Sequence, residues 1–258
     1  MKIISANTNG IRAAASKGFF DWVLSEDLDV ICIQETKAHE QQLLDPVFNP
    51  AGYFRYFSEA EKKGYSGVAI YTKKKPDKII HALGFDLADT EGRYVQVDFD
   101  DLNLSICSLY LPSGSSSELR QVEKIKFMGI YENILKNQMA SGRSFIVCGD
   151  WNIVHKEIDI KNFKSNQKSS GCLPEERAWL DQILNQEKWV DAFRVLNQEP
   201  DQYTWWSARQ KRCWDHNIGW RIDYQIVTPD LKNKIKKVEI YKAQRFSDHA
   251  PVLVEYDL

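Results

Sequence analysis

Short apolar runs that end abruptly in polar residues constrain the fold of this chain more than any other feature of its sequence. Val30–Ile33 and Phe145–Cys148 are continuously apolar, as expected of strands that are covered on both faces. Tyr94–Phe99 and Leu104–Cys107 flank a polar turn, a pattern typical of a hairpin. The complete set of predicted strands is Lys2–Thr8, Asp29–Gln34, Ser66–Thr72, Tyr94–Phe99, Asn103–Tyr110, Ser144–Cys148, Arg221–Val227, Ile235–Tyr241 and Val252–Tyr256.

Helical patterns lie between these strands. Ser115 and Glu118 have the spacing of a capping box, and Pro174 followed by two acids is typical of a first helical turn. The apolar positions expected to face the core are Leu119, Val122, Phe127, Ile130, Ile134 and Leu135 in the first helix, and Trp179, Leu180, Ile183 and Leu184 in the second. Alternating strands and helices predict an α/β layer architecture, and the number of strands predicts two sheets.

The size and composition of the chain predict one domain. It has 258 residues, of which 43% are hydrophobic, and the apolar runs extend from Ile3 to Val254 without a linker-like interruption, so we assign residues 1–258 to a single domain. No stretch approaches the ~20 apolar residues of a membrane helix. The first apolar run is also too short for a signal peptide, and we therefore expect a cytoplasmic protein with no membrane association.

Cysteine usage and charge narrow the function only slightly. The five cysteines are odd in number and lack a C-x-x-C pair, which argues against a disulfide framework and a zinc site. Cys32, Cys107 and Cys148 lie inside apolar runs and are expected in the core. The net charge of −2 does not indicate a nucleic-acid partner. Lysine clusters at 73–75, 161–168 and 232–237 are compatible with DNA contacts or simply with solvated faces.

Polar residues that follow the predicted strands are the candidates for chemistry, because sites in α/β folds are built at strand ends. Glu35 follows a buried strand and is a suitable ligand for a hard cation, although it could instead pair with Lys37 on the surface. Asn7 could bind a metal through its oxygen, position a carboxylate or only form a turn. Asp223 could orient His249 and raise its basicity, whereas a lone histidine is often structural.

Taken together and in this order, seven motifs resemble the signature set of the exonuclease III family of apurinic/apyrimidinic endonucleases, within the endonuclease/exonuclease/phosphatase superfamily. They are Asn7–Gly10, Gln34–Lys37, Tyr110–Gly114, Gly149–Asn152, Leu173–Arg177, Trp220–Tyr224 and Ser247–His249. The resemblance covers essentially the whole chain. It implies a DNase I-like fold, a four-layer α/β sandwich of two mixed β-sheets flanked by helices.

The resemblance also implies roles for individual residues. Asp150 is similar to the residue that activates the attacking water, with Asn152 as its partner in holding the phosphate. His249, oriented by Asp223, and Tyr110 are expected to contact the scissile phosphate. The implied metal ligands, for one or two Mg²⁺ ions with Mn²⁺ as an alternative, are Glu35, Asn7, Asp248, Asp150, Asn152 and His249. The implied DNA contacts are Lys37, Arg12, Lys164, Asn166, Trp205, Trp220 and Ile222.

The implied activity is that of a magnesium-dependent class II endonuclease in base excision repair. Such an enzyme cuts the phosphodiester 5′ to an abasic site, leaves a 3′-OH, and has 3′-phosphodiesterase and 3′–5′ exonuclease side activities. Its partner is double-stranded DNA with abasic sites or blocked 3′ ends, and it acts as a monomer, near the nucleoid in a prokaryote. The short connection 161–171 resembles the mainly endonucleolytic branch. Ser113 departs from the family pattern, because some relatives carry Asn there.

Two other classes of function compete with this interpretation. Inositol-phosphate phosphatases and sphingomyelinases share the Asn, Glu, Asp and terminal Asp-His elements. They are not expected to carry the Leu173–Arg177 motif or the tryptophans Trp205, Trp206 and Trp220. A catalytically inactive DNA-binding module predicts the loss of at least one of four chemically essential residues. Glu35, Asp150, Asp223 and His249 are all present.

Overall fold

Two six-stranded β-sheets form the centre of the computed structural model, which describes residues 1–209 and 212–258. The strands are β1 Lys2–Asn7, β2 Val30–Gln34, β3 Phe54–Ser58, β4 Val68–Thr72, β5 Lys78–Ile80, β6 Tyr94–Phe99, β7 Leu104–Tyr110, β8 Ser144–Asp150, β9 Val190–Asp191, β10 Asp223–Val227, β11 Ile235–Ile240 and β12 Val252–Tyr256. The α-helices are α1 Ile11–Ala15, α2 Phe19–Ser25, α3 Asp86–Thr90, α4 Glu118–Ala140, α5 Phe163–Asn166, α6 Pro174–Asp181, α7 Ala192–Leu196 and α8 Arg212–Asp215.

Both sheets are mixed. The first has the order β11-β12-β1-β2-β4-β3 and the second the order β5-β6-β7-β8-β10-β9. Strands β1 and β2 pair in parallel in the first sheet, as do β7 and β8 in the second. The predicted hairpin is confirmed: β6 and β7 pair antiparallel, and Asn103 closes the turn with a φ of 48°.

Alternation along the central strands explains why the sheets are covered on both faces. In β2, Val30 and Cys32 pack into the core between the two sheets, whereas Ile31 and Ile33 pack on the other side against α1 and α2. In β8, Ile146 and Cys148 face the same inter-sheet core, while Phe145 and Val147 pack toward α4 and α6. Because each central strand is apolar on both faces, its sequence is a continuous apolar run. The predicted four-layer sandwich is confirmed.

All nine predicted strands are present, and the described part of the chain forms three further strands that were missed. The missed strands are β3, β5 and β9, and each lies at an edge of its sheet. Edge strands are short or partly exposed, so they do not leave the long apolar pattern of a central strand. In β5, for example, the side chains of Lys78 and Ile79 are exposed.

The prediction for α4 was wrong in two details. Ser117, not Ser115, caps the helix, and its hydroxyl accepts a hydrogen bond from the backbone N–H of Arg120 at 3.2 Å. Leu119 and Val122 were expected to face the core but are 68% and 65% exposed. The buried face carries Lys124 instead, together with Phe127, Met128, Tyr131, Leu135 and Gln138. The apolar stripe predicted for α6 and its continuation is confirmed, since Trp179, Leu180 and Ile183 are buried.

Two remaining expectations concern the core and the membrane. Cys32, Cys107 and Cys148 are fully buried, as predicted. Among the described residues, no helix combines the length and the apolar character that are needed to cross a bilayer.

Candidate active site

The strand ends of both sheets meet at one edge of the sandwich. In the first sheet, Asn7 at the end of β1 pairs in register with Gln34 at the end of β2, so Glu35 follows directly. In the second sheet, Asp150 at the end of β8 lies between Tyr110 of β7 and Asp223 of β10. The packing of one sheet on the other therefore brings together side chains that are far apart in the sequence.

The Asn7 side chain joins the two sheets. Its Nδ2 donates hydrogen bonds to Glu35 Oε1 and to Asp150 Oδ2, both at 2.8 Å, and its Oδ1 accepts one from the backbone N–H of Asn9 at 2.9 Å. Glu35 has a φ of 50°, a sparsely populated conformation that turns its carboxylate toward this edge. In this arrangement Asn7 holds the carboxylates through its nitrogen, and its oxygen is already engaged.

His249 lies between two aspartates. Together with Glu35, Asp150 and Asp223 it forms what we call the carboxylate–histidine cluster. His249 Nδ1 is 2.9 Å from Asp223 Oδ2, and its Nε2 lies 3.9 Å from Asp150 Oδ2. Ser247 Oγ accepts a hydrogen bond from the His249 backbone N–H at 2.8 Å. Thr204 Oγ1 accepts one from the Asp223 backbone N–H at 3.1 Å. His249 and Asp223 are thus held by hydrogen bonds to their backbone N–H groups as well as by the contact between their side chains.

Glu35, Asp150 and His249 could hold a metal ion. One ligand atom from each of the three lies within 4.8 Å of the others. Burial first, and then the nearby charge of Asp223 and of Glu35, raises the pKa of Asp150 to about 8. Carboxylates crowded in this way are costly to ionise without a compensating positive charge. The donor set, two carboxylates and an imidazole, therefore fits a divalent cation.

The cluster already contains positive charge. Burial disfavours the charged form of His249, but the carboxylates of Asp223, Asp150 and Asp248 outweigh it and raise the pKa of His249 to about 10. Burial also opposes ionisation of Glu35, yet Lys37 and the hydrogen bond from Asn7 hold the pKa of this carboxyl below its usual range. At neutral pH His249 is consequently a hydrogen-bond donor and Glu35 is an anion.

Asn152 and Tyr110 border the cluster. The Asn152 backbone N–H donates to Asp150 Oδ1 and its Nδ2 donates to Leu111 O, both at 2.9 Å, and its φ is 51°. The ring of Tyr110 packs against the Arg93 guanidinium, 4.7 Å from its centroid. Burial and the neighbouring Glu35 and Asp150 raise the pKa of Tyr110, so its hydroxyl stays protonated and can donate to an anion.

Two predicted metal or DNA residues lie beside the cluster rather than in it. Asp248 is not in the metal-compatible group formed by the described residues. Its carboxylate accepts hydrogen bonds from Asn9 Nδ2 at 2.8 Å and from Trp205 Nε1 at 3.2 Å. Lys37 forms an ion pair of 2.7 Å with Glu35, so the surface pairing considered for Glu35 exists together with the cluster.

A cavity of about 730 Å³ opens above these groups. One wall is aromatic and aliphatic, formed by Trp205, Trp220 and Ile222. The two indole rings meet edge to face, with centroids 5.8 Å apart, and both are only partly buried. The lining also includes six serines, which are Ser113, Ser115, Ser116, Ser117, Ser169 and Ser170.

The comparison with protein families gives a match over nearly the whole chain. The model described as "Endonuclease/Exonuclease/phosphatase family" matches residues 4–249. The chain belongs to this family. An exodeoxyribonuclease of Bacillus subtilis is 37% identical over 98% of both chains. A DNA-(apurinic or apyrimidinic site) endonuclease of Dictyostelium discoideum is 36% identical over the whole of this chain and 71% of its own length.

Solved structures in this family have the same fold. An AP endonuclease from Archaeoglobus fulgidus superimposes with a TM-score of 0.89 and covers 100% of both chains at 24% identity. At this identity the likeness concerns the fold. The family match and the sequence relatives confirm the resemblance to the exonuclease III family that the motifs had indicated.

The remaining predicted DNA contacts of this family member lie farther from the cavity. Arg12 is exposed on α1. Lys164 lines a different groove with Phe163 and Tyr203, and Asn166 Nδ2 donates to Asn162 O at 2.9 Å. The cavity instead includes Lys168, which belongs to the same lysine cluster.

Sequence reasoning did not identify three elements of the site. The first is Thr204, whose hydroxyl accepts a hydrogen bond from the backbone N–H of Asp223 in β10. The second is Asn9, which donates a hydrogen bond to Asp248. The third is the loop 169–171, which lines the cavity. Asn9 and Gly171 lie within or beside motifs, and that position is the signal that could have found them. A lone buried threonine carries no such signal.

Proposed function

We propose that this chain is a magnesium-dependent class II apurinic/apyrimidinic endonuclease that cuts the phosphodiester 5′ to an abasic site in double-stranded DNA. The observation that supports it most strongly is the meeting, in one cavity, of a buried carboxylate–histidine cluster with a partly exposed aromatic wall. The first provides for phosphodiester hydrolysis and the second for recognition of the damaged nucleotide. The names of the relatives from Bacillus subtilis and Dictyostelium discoideum agree with this function.

The residues of the cluster suit attack by water on a phosphodiester. Asp150 accepts a proton from the attacking water while the new P–O bond forms and the bond to the 3′ oxygen breaks. His249, held protonated beside Asp223, and the hydroxyl of Tyr110 donate hydrogen bonds to the non-bridging oxygens, where negative charge accumulates. Asn152 positions the phosphate. The departing 3′ oxygen takes up a proton from solvent, and a 3′-OH remains.

Mg²⁺, or Mn²⁺ as an alternative, would be held by the carboxylates of Glu35 and Asp150 and would supply charge stabilisation at the departing oxygen, while His249 keeps its proton and donates to the phosphate. We include Asn7, Asn152 and Asp248 in the surrounding shell, because hydrogen bonds connect each of them to the cluster or to its neighbours. Asn7 keeps Glu35 and Asp150 close together although both are acidic. Asp248 fixes Asn9, which in turn lies against Lys37.

Recognition of the abasic site rests on the aromatic wall. A sugar without its base is a small object that can rotate out of the helix. Trp205, Trp220 and Ile222 offer it an apolar surface, and Trp205 lies directly beside His249, with ring centroids 6.5 Å apart. A normal nucleotide has to fit its base into the same space. Because a base fits there less well than a bare sugar, we propose that 3′-phosphodiesterase and 3′–5′ exonuclease action are side activities of the same site.

The proposal extends to the whole protein. We propose that residues 1–258 work as one catalytic domain and as a monomer, in base excision repair in the cytoplasm and at the nucleoid in a prokaryote. The full-length match to a bacterial exodeoxyribonuclease supports this. Arg12, Lys37, Lys164 and Asn166 remain proposed contacts to the DNA backbone, whose affinity depends on salt.

A substrate comparison tests the proposal. Single-turnover rates are measured on a duplex with one abasic-site analogue, on the same duplex undamaged, and on a soluble inositol phosphate. We expect the abasic duplex to be cut fastest. Faster release of phosphate from the inositol phosphate would assign the protein to the phosphatase branch of the superfamily. Tight binding of abasic DNA without any cleavage would identify it as a DNA-binding module.

A further inference from the structure

A completely buried ion pair lies behind the cavity. Lys124 of α4 and Glu176 of α6 are both 0% exposed, and Lys124 Nζ is 2.6 Å from Glu176 Oε1. Gln121 Nε2 donates to the same oxygen at 3.0 Å. Neither residue has a hydrogen bond or ion pair with the carboxylate–histidine cluster, although the charge of Lys124 acts on Asp150. Glu176 belongs to the Leu173–Arg177 motif, for which the proposed chemistry gives no role.

The pair makes backbone contacts on both sides of the cavity floor. Lys124 Nζ donates to the carbonyl oxygen of Asn152 at 2.8 Å. Glu176 Oε2 accepts from the backbone N–H of Gly171 at 2.6 Å and from that of Leu173 at 3.1 Å. One end of the pair thus holds the turn of Asn152, and the other holds the loop that lines the cavity.

These two backbone segments also fit closely against each other and against the aromatic wall. The N–H of Val154 donates to the carbonyl of Gly171 at 2.7 Å. A Cβ built on Gly171 would lie 2.9 Å from the Asn152 carbonyl oxygen and 3.1 Å from the ring of Trp220. Because Gly171 has a φ of 91°, this close approach needs glycine. A shift of the loop would therefore move both Asn152 and Trp220.

A general contribution to stability does not explain why a charged pair is placed there. Two buried charges lose their hydration, and an apolar pair of similar volume is often as stable or more so. What an apolar pair could not do is bind three backbone groups at once. Asn152 has a φ of 51°, so its turn needs such external support to persist.

From these contacts we infer that Lys124 and Glu176 are positioning residues, which hold the Asn152 turn and the Gly171 loop in register so that the phosphate and the abasic sugar are aligned with Asp150. The inference rests on the proposed function. It assigns the Leu173–Arg177 motif a task in catalysis through the backbone, without contact to substrate.

The test uses the full-length protein with Lys124→Met, Glu176→Gln and the two changes combined. The double variant contains no unpaired buried charge, so it recovers stability if the pair is only structural. Met128→Ala is the matched control, because Met128 is buried one turn farther along α4, among apolar residues. Each protein is characterised by its Tm, by its Kd for a duplex with one tetrahydrofuran abasic analogue in EDTA, and by the single-turnover rate of incision of that duplex with Mg²⁺.

We expect the single-turnover rate to fall about 10- to 100-fold in both single variants and in the double variant. The Kd should change by less than about threefold, because DNA affinity comes mainly from phosphate contacts over the whole surface. Met128→Ala should lower the Tm and leave the rate within about twofold of wild type. The double variant provides the result if Lys124→Met alone does not fold.

Two results would overturn the inference. One is a folded double variant that cuts within about twofold of the wild-type rate. The other is an equal loss of rate in Met128→Ala at an equal loss of Tm, since any weakening of the fold would then have the same effect. The wild-type rate in the same series separates this inference from the function on which it rests. A wild type that does not cut refutes both, whereas an active wild type with an equally active double variant refutes the positioning role alone.

Discussion

Replacing Asp150 by Asn should abolish incision and, at the same time, stabilise the metal-free protein. Asp150 is 1% exposed, and its surroundings raise its pKa from 3.8 to about 8. A rise of this size corresponds to about 5 kcal/mol of unfavourable free energy for the ionised carboxyl at pH 8. An amide of nearly the same shape has no charge and avoids this penalty.

Two losses reduce the expected gain. The hydrogen bond from Asn7 Nδ2 to Asp150 Oδ2 cannot form in the same way to an amide nitrogen, which costs about 1 kcal/mol. The variant also removes one of the carboxylates that favour the charged form of His249. We therefore expect a net gain that is smaller than this penalty, and each 1 kcal/mol of it should raise the Tm by about 2–4 °C for a chain of this length.

The raised pKa of Asp150 also determines how the stability difference between Asp150→Asn and wild type changes with pH. A carboxyl whose pKa is raised in the folded state contributes most favourably below its unfolded value of 3.8, and this contribution is lost as the pH rises toward about 8. The advantage of Asp150→Asn should consequently be small near pH 4 and largest at pH 8 and above. Thermal denaturation in EDTA across this range measures it.

Asp159→Asn is the matched control with the opposite sign. Asp159 is equally buried, but Arg221 and Arg194 overcome the effect of burial and lower its pKa to about 2. Its ionised form stabilises the fold above pH 3.8, so removal of the charge should lower the Tm at neutral pH. An Asp150→Asn protein that is no more stable than wild type at pH 8 in EDTA would refute the idea that Asp150 is held at an energetic cost.

Three further changes probe the other parts of the site. Glu35→Gln should raise the Mg²⁺ concentration needed for half-maximal incision about 10- to 100-fold, with partial recovery in excess metal, and an unchanged metal titration would contradict its role as ligand. Asp223→Asn should slow single-turnover incision at least about tenfold at unchanged Kd, because it no longer orients its imidazole partner, and a near-wild-type rate would refute this. Trp220→Ala should reduce the preference for abasic over undamaged duplex about tenfold, and an unaltered ratio would remove the aromatic wall from recognition.

The sequence predicted the central strands and the residues at their ends, for a physical reason. A strand covered on both faces needs an unbroken apolar run, and the polar residues that follow the run mark the edge of the sheet. Glu35 and Asp150 stand at such points. Their distance from each other could not be read from the sequence, because it depends on how one sheet packs on the other.

Patterns of polarity failed where a charge is buried with a partner. Lys124 was not among the positions expected to face the core, yet it is buried because Glu176 comes from a different helix to meet it. Leu119 and Val122 are exposed in exchange. Similarly, the lysines of segment 161–168 form one group in the sequence, yet Lys168 lines the cavity and Lys164 does not. Such differences arise from tertiary contacts, which no local pattern contains.

Analysis of the cleaved ends tests the proposed reaction most directly. A duplex with a single abasic-site analogue is incubated with the wild-type protein, once with Mg²⁺ and once with EDTA, and the upstream fragment is then offered to a DNA polymerase. We predict one cut, immediately 5′ to the abasic site, only with Mg²⁺, and a fragment that the polymerase extends because it ends in a 3′-OH. Equal cleavage in EDTA, or an upstream end that cannot be extended without further processing, would contradict metal-assisted hydrolysis at this site.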